Sequence, residues 1–533
     1  MSNSNTKHYF SYINEAIKQN WECPAMTDYQ GKVSYTYGEL AAQMVRISTF
    51  LQKEGVKPGD KIAICARSCT HWSLAFLGCE AARSVAVTIL SEFAAADINY
   101  IINHSDSVIL FADTITIKRL NRNDMPQVRK IIDISDFTAV ESDGSRTPIL
   151  DNSISISKEE VSFPTDNIDE LALINYTSGT TSSPKGVMLT NRNISSNVTY
   201  GQETEPNSPN DNMLSLLPLA HIFGIMFGLL YQLAGGVHIY FLTKLPTPSL
   251  LLNAMKNVKP YMMLCVPLVV EKIVNKNILP RFSTPVGKFL WNAPIIKDIV
   301  RGKASSALMG AFGGNLRNLI IGGAKLNHKV EKYLRQMHVP YCCGYGMTEC
   351  GPLIGYANWK DYKMGSVGKA VDRMEIRLNN EGGNQDAAEI MVRGENVTIG
   401  YYKNDEATES SFDSEGWFHT GDIGSIDKCG NIFLLGRCKN MILGASGQNI
   451  YPEEIESKLS IMEGVADCLV LSRSGKIVAL VRTTEEMPEE WSAQTLQALN
   501  ALLPVYSRVA AIEIMKEDFS KTPKNSIRRH LYK

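Results

Sequence analysis

The chain has 533 residues, 44% of them hydrophobic, with 54 basic against 55 acidic side chains. That length exceeds one compact core and predicts at least two domains. The balanced charge gives no overall pull toward nucleic acid or an anionic membrane. Eleven cysteines occur without a C-x-x-C pair or a His/Cys metal spacing, in a chain whose start, "MSNSNTKHYF", is not signal-like. They read as reduced thiols of a cytoplasmic protein, not as a zinc site or a disulfide framework.

Strand-like and helix-like segments alternate through the first half. "KIAICAR" reads as a strand, "HWSLAFLGCEAARS" as a helix, "VAVTIL" as a strand, "AADINYIINHS" as a helix and "SVILFAD" as a strand. Such alternation predicts an α/β fold with largely parallel sheet, whose ligand sites lie beyond the carboxyl ends of strands. "ESDGSRTP", beginning at Glu141, reads as a polar surface loop.

The apolar, β-prone run "LALINY" then enters "YTSGTTSSPKG", from Tyr176 to Gly186. Glycine admits a ligand close to the backbone, Ser and Thr hydroxyls donate hydrogen bonds, and Lys185 supplies a movable charge. These are the properties of a loop that holds an oxyanion; the alternative is a plain solvated turn. Gly179 and Lys185 do not fit G-x-x-x-x-G-K-[ST], so the loop alone names no reaction.

"IFGIMFGLLYQLAGGVHIYFL", from Ile222 to Leu242, is long enough to cross a bilayer. Gln232, Gly235, Gly236 and His238 interrupt it and no basic cluster flanks it, so it reads as a buried helix, a Gly-Gly turn and a buried strand. From Ala387 short strands and turns follow: "AEIMVRGENV" and "GSIDKCGNIFLLG". After Arg437 the units become smaller. "YPEEIESKLS" is a helix with proline in its first turn, "VADCLVLS" and "KIVALVRT" are strands, and "AQTLQALNALL" is a helix. A domain boundary is placed there, dividing 1–437 from 438–533.

Taken in order, the loop at Tyr176, "GGAKL" at Gly322, "GYGMTECGPLIGY" at Gly344, "GWFHTGDIG" at Gly416, "GRCKNMILGASGQNIYPEEIE" at Gly436 and "KTPKNSIRR" at Lys521 resemble the AMP-forming acyl-CoA synthetases. These belong to the wider adenylate-forming superfamily. The resemblance runs from about Tyr35 to Arg529. It implies a large multi-layer N-terminal α/β domain with mostly parallel sheets and a small mobile α+β C-terminal lid, hinged near Lys439. It also implies a reaction in two steps. A carboxylate attacks the α-phosphate of ATP to give an acyl-adenylate and pyrophosphate; coenzyme A then displaces AMP.

The resemblance assigns roles residue by residue. Thr177, Ser178, Gly179, Thr180, Thr181 and Lys185 match the β- and γ-phosphate cradle, with Ser182 where many relatives have glycine. Glu349, joined by Thr180, matches the Mg²⁺ ligand and Thr348 the α-phosphate contact. Gly323 and Ala324 after Gly322 match the adenine edge slot, and Tyr345 and Gly346 its face. Asp422 matches the ribose acceptor, Arg437 and Lys439 further nucleotide contacts, and Gly444 and Gly447 a path for the pantetheine arm. His221 lies at the implied acyl entrance. Phe223, Gly224, Val266, Met347 and Leu353 fall near its pocket, and no aspartate for a substrate amine occurs in "HIFGIMF".

"CVPLVVEKI" and "GASGQNIYPEEIE" resemble the long-chain branch, so a fatty acid is the expected substrate, with ATP, Mg²⁺ and coenzyme A. No nucleic acid and no transmembrane span are expected; peripheral membrane contact and oligomeric state stay open. An aryl-CoA ligase or a ligase loading an acyl carrier protein shares the ATP motifs and remains an alternative. One departure stands out. Relatives carry a lysine before the isoleucine of a "KTPxxKIxR"-like stretch, where this chain has Ser526. Either Lys524 takes the role or adenylation is impaired.

Overall fold

The computed structural model describes residues 6–177, 184–244, 247–282, 284–379, 387–443, 449–473, 475–521 and 527–532. Counts of elements below refer to these described residues. Two large sheets dominate. The nine-stranded sheet runs 400–401, 185–190, 171–177, 85–88, 61–65, 109–112, 130–133, 138–140 and 146–148 in spatial order. Its five central strands are parallel, and antiparallel pairs close both edges. The seven-stranded sheet runs 341–343, 318–321, 262–265, 212–215, 238–241, 24–28 and 34–36, parallel except at its last pair.

Local chemistry explains the helices between the strands. Thr36 and Glu39 form a reciprocal capping box that starts helix Tyr37–Lys53. Helix Thr70–Ala81 is buried on nearly every face, which suits a helix enclosed within an α/β layer. There a Cβ on Gly78 would lie 2.4 Å from Ile47 Cγ2, so glycine lets the two helices touch. The predicted loop at Glu141 is a hairpin instead: strand Thr138–Val140 pairs with strand Arg146–Pro148.

The 222–242 segment folds as a short helix Ile222–Ile225, a π-turn Met226–Leu230, a helix Tyr231–Ala234, a turn at Gly235–Gly236 and strand His238–Phe241. Among the described residues no helix is long and apolar enough to cross a membrane. Four antiparallel strands, 374–379, 388–394, 418–426 and 432–437, form a further sheet. Beyond Arg437, helix Pro452–Leu459 carries Pro452 in its first turn, Glu453 and Glu454 beside it and Lys458 at its end, charges that complement the helix dipole. Strands 465–473, 476–483 and 511–514 form one small sheet there. Its apolar side chains gather in clusters drawn only from residues 442–532.

Candidate active site

Thr177 closes strand Leu171–Thr177, and its cross-strand partner is Lys185. The sequence places Lys185 in a loop; the structure makes it the first residue of strand Lys185–Thr190. The β-branched and apolar run that follows it pairs on both sides, so the ladder captures the lysine backbone. The Lys185 ammonium sits 5.2 Å from the centre of the Tyr401 ring, a cation–π distance. Tyr401 in turn donates its hydroxyl to Glu349 Oε1 at 2.9 Å. Burial, reinforced by the Glu349 carboxylate, raises the Tyr401 pKa, so this phenol stays a donor.

Glu349 is fixed through its backbone as well. Its carbonyl accepts from Thr398 N at 2.7 Å, and Thr398 Oγ1 donates to Met188 O at 2.6 Å. The 3₁₀ turn Thr348–Cys350 therefore rests on the same strand that carries Lys185. A second polar group stands beside the first. Tyr345 is 6% exposed and donates its hydroxyl to Asp422 Oδ2 at 2.7 Å. Arg437 Nε lies 2.7 Å from Asp422 Oδ1. Asp422 and Arg437 are direct cross-strand partners, so the hairpin register sets this ion pair. Burial pushes the Asp422 carboxyl up, Arg437 and Tyr345 oppose that, and the Glu349 charge adds to it.

Gly322, Gly323 and Ala324 follow strand Asn318–Ile321 at its carboxyl end. Gly323 has φ +84°, a conformation that favours glycine. A Cβ on Gly346 would lie 2.2 Å from the Pro352 carbonyl oxygen, so only glycine fits there. His221 caps helix Ile222–Ile225, its Nδ1 accepting from Phe223 N at 3.3 Å. Phe223 reaches the glycines: a Cβ on Gly322 would lie 3.1 Å from its ring.

Behind Phe223 lies an apolar cavity walled by Phe227, Tyr231, Met262, Leu264 and Leu353. Glu205 and Tyr356 also line it, and the Tyr356 hydroxyl donates to Glu205 Oε1 at 2.7 Å. Of the apolar residues singled out in the sequence, Phe223 and Leu353 line the cavity. Val266 packs by Gly323 instead, where a Cβ would be 3.8 Å from Val266 Cγ1.

The structure thus groups Thr177, Lys185, Thr348 and Glu349, and joins Tyr345, Asp422 and Arg437. Lys439 follows Arg437 in the turn Cys438–Asn440. Ser178, Gly179, Thr180, Thr181, Gly444, Gly447, Lys524 and Ser526 lie outside the described residues. Sequence reading missed Tyr401, the bridge between Lys185 and Glu349. It sits in "TIGYYKN", which carries no chemical pattern; only the pairing of Tyr401 with Val187 reveals it. It also missed Glu205 and gave no role to Tyr356, the last residue of "GYGMTECGPLIGY".

A lysine, two partnered carboxylates and a glycine turn at the carboxyl end of one strand, with an apolar cavity behind Phe223, suit a ligand with an anionic part, a flat part and a greasy part. The family model described as AMP-binding enzyme matches residues 13–402, and the chain belongs to that family. Long chain acyl-CoA synthetase 1 of Arabidopsis thaliana is 29% identical over 506 residues, 86% of this chain and 75% of its own length. Long-chain-fatty-acid–CoA ligase 5 of Rattus norvegicus is 29% identical over 499 residues, 85% of this chain and 71% of its own. Among solved structures, the anthranilate CoA ligase AuaEII with anthranoyl-AMP superposes with a TM-score of 0.81 at 18% identity, over 100% of this chain and 98% of that one. ATP-bound MatB from Rhodopseudomonas palustris gives 0.78 at 22% identity, over 98% and 97%. These two structures share the fold.

Proposed function

We propose that the protein is an AMP-forming fatty acid–CoA ligase, which activates a fatty acid with ATP and passes the acyl group to coenzyme A. The observation that carries this reading is the apolar cavity lined by Phe223, whose ring also packs against Gly322. The similarity to long-chain acyl-CoA synthetases supports it. An apolar wall rewards an alkyl chain by about 0.8 kcal/mol per buried methylene.

In this reading Lys185 and Thr177 hold the terminal phosphates, with Ser178, Gly179, Thr180 and Thr181 completing the cradle. Asp422 has four lone-pair sites, of which Tyr345 and Arg437 take one each; the remaining two can accept both ribose hydroxyls. Gly323, Ala324, Tyr345 and Gly346 bound the adenine slot, and Thr348 meets the α-phosphate. Among the described residues no group of three or more His, Cys, Asp or Glu could hold a metal unaided. Glu349, aided by Thr180, would hold Mg²⁺, an ion that typically takes one or two carboxylates together with substrate phosphate oxygens and water. Mg²⁺ would offset charge as one anion approaches another. His221 borders the acyl entrance.

Residues 438–533 would act as a lid turning about Lys439. In one position the lid brings the Lys524–Ser526 stretch to the adenylate, and in the other it brings Gly444 and Gly447 to the pantetheine arm. Cytoplasmic residence accords with the eleven free cysteines.

The test is pyrophosphate release from ATP with a panel of medium- to long-chain fatty acids, followed by thioester formation on adding coenzyme A. No release with any acid, together with no thioester from supplied acyl-AMP, overturns the reading. Ser526 motivates one variant reading, an enzyme slow in the first step only. Ser526→Lys should then raise adenylation by roughly 10²–10³, the cost of one missing preorganised contact. Unchanged adenylation in Ser526→Lys, with loss in Lys524→Ala, would assign the role to Lys524.

A further inference from the structure

We propose that the helical elbow formed by helices Pro285–Asn292 and Lys297–Ala311 is a docking surface for an anionic lipid bilayer. The elbow has two unlike faces. Its inner face is anchored by Trp291, which is 3% exposed. Trp291 Nε1 donates to Gln336 Oε1 at 2.8 Å, its ring packs 4.5 Å from Phe282 and 5.0 Å from Tyr333, and the Arg301 guanidinium lies 5.5 Å over it. Its outer face presents Val286 at 69% exposure, Phe289 at 71%, Ile295 at 91% and Ile299 at 61%.

Single exposed apolar residues are ordinary on a protein surface; four large ones within fourteen positions, 286–299, are a patch that calls for a partner. The rim says which partner. From residue 272 to residue 303 the sequence holds seven basic residues, of which Arg301 turns inward over Trp291, and one acidic residue, Asp298, in a chain whose net charge is −1. Arg281, Lys288 and Lys303 are exposed. Among the described residues none of these three forms an ion pair, whereas Arg317 is neutralised by Asp211.

Apolar side chains projecting from a lysine- and arginine-rich rim suit the interface of an anionic bilayer: the alkyl and aromatic groups enter the acyl boundary while the cations meet phosphate headgroups. A second copy of this chain fits less well, because a two-fold contact would set this cationic rim against itself. The surface stands apart from the ligase reading, and its test needs no turnover.

The test is co-sedimentation of the full chain with phosphatidylcholine vesicles, with and without phosphatidylglycerol, at low and high salt. Binding should require phosphatidylglycerol and weaken in high salt. Phe289→Ser with Ile295→Ser, and separately Lys288→Glu with Lys303→Glu, should each lower partitioning by at least about tenfold. These side chains face outward, so both variants should unfold at the wild-type temperature, checked by thermal melts; if the serine pair melts early, the glutamate pair and the wild-type salt dependence decide alone. No binding to any vesicle overturns the proposal. So does binding that neither pair of substitutions changes, or self-association at micromolar concentration that the serine pair abolishes while vesicle binding is absent.

Discussion

The polar site and the outer elbow solve opposite problems. Around Asp422 each charged or polar group already has a partner within the chain: Tyr345 and Arg437 on Asp422, Tyr401 on Glu349, and Lys185 over Tyr401. At the elbow, Phe289 and Ile295 face water, and among the described residues the exposed Lys288 and Lys303 form no ion pair. Internal satisfaction shapes a site before any ligand arrives, because each partner fixes the next side chain. Outward apolar and cationic groups carry no such geometry, and their energy is realised only against something outside the chain.

The comparison breaks most sharply at Trp291, where the elbow turns inward. Trp291→Ala should destabilise the fold by about 3–5 kcal/mol, as for other buried aromatic truncations. A urea titration reads this as a lower midpoint; a loss under about 1 kcal/mol would mean the elbow is not anchored as described. The polar site should show its effect in rate. Asp422→Ala leaves Arg437 and Tyr345 without their shared acceptor and should lower adenylation by roughly 10²–10³. Pyrophosphate release measures it, and activity within about threefold of wild type would remove Asp422 from the site.

Glu80 sharpens the comparison from within the core. It is fully enclosed, with Oε2 accepting from the Tyr9 hydroxyl at 2.8 Å, and burial pushes its carboxyl up to about 8. The folded chain therefore keeps a proton that the unfolded chain gives up above its ordinary range near 4.5. Stability is full below that range and falls by several kcal/mol as pH rises toward 8. Glu80→Gln should flatten that slope in denaturant titrations across this window; an unchanged slope would assign the dependence elsewhere. The smallest effect belongs to the outer elbow. Phe289→Ser should alter stability by no more than about 0.5 kcal/mol, since the ring is already in water. A calorimetric shift above about 1 kcal/mol would show that Phe289 packs against the fold after all.

Much was legible before the fold. The alternating periodicities of "KIAICAR", "HWSLAFLGCEAARS" and "VAVTIL" gave strand Lys61–Cys65, helix Thr70–Ala81 and strand Val85–Thr88. Gly235 and Gly236 marked the turn inside an apolar run that resembled a membrane span. The order of the short motifs pointed to the AMP-binding family. These signals are local: side-chain spacing and backbone preference act over a few residues, and a sequence displays them directly.

What only the tertiary structure decided lies between distant segments. Lys185 belongs to a strand and meets Tyr401 because Val187 pairs with Tyr401 across a sheet edge. Arg437 meets Asp422 through a hairpin register with an irregularity at Ile423 and Gly424. The whole-chain charge balance hid the basic elbow, because acids elsewhere cancel it in the sum. Packing alone chose which face of helix Pro285–Asn292 turned inward on Trp291, leaving Val286 and Phe289 outside. Such outcomes depend on which strands and helices become neighbours, and that follows from the collective burial of the core, which no short window of sequence contains.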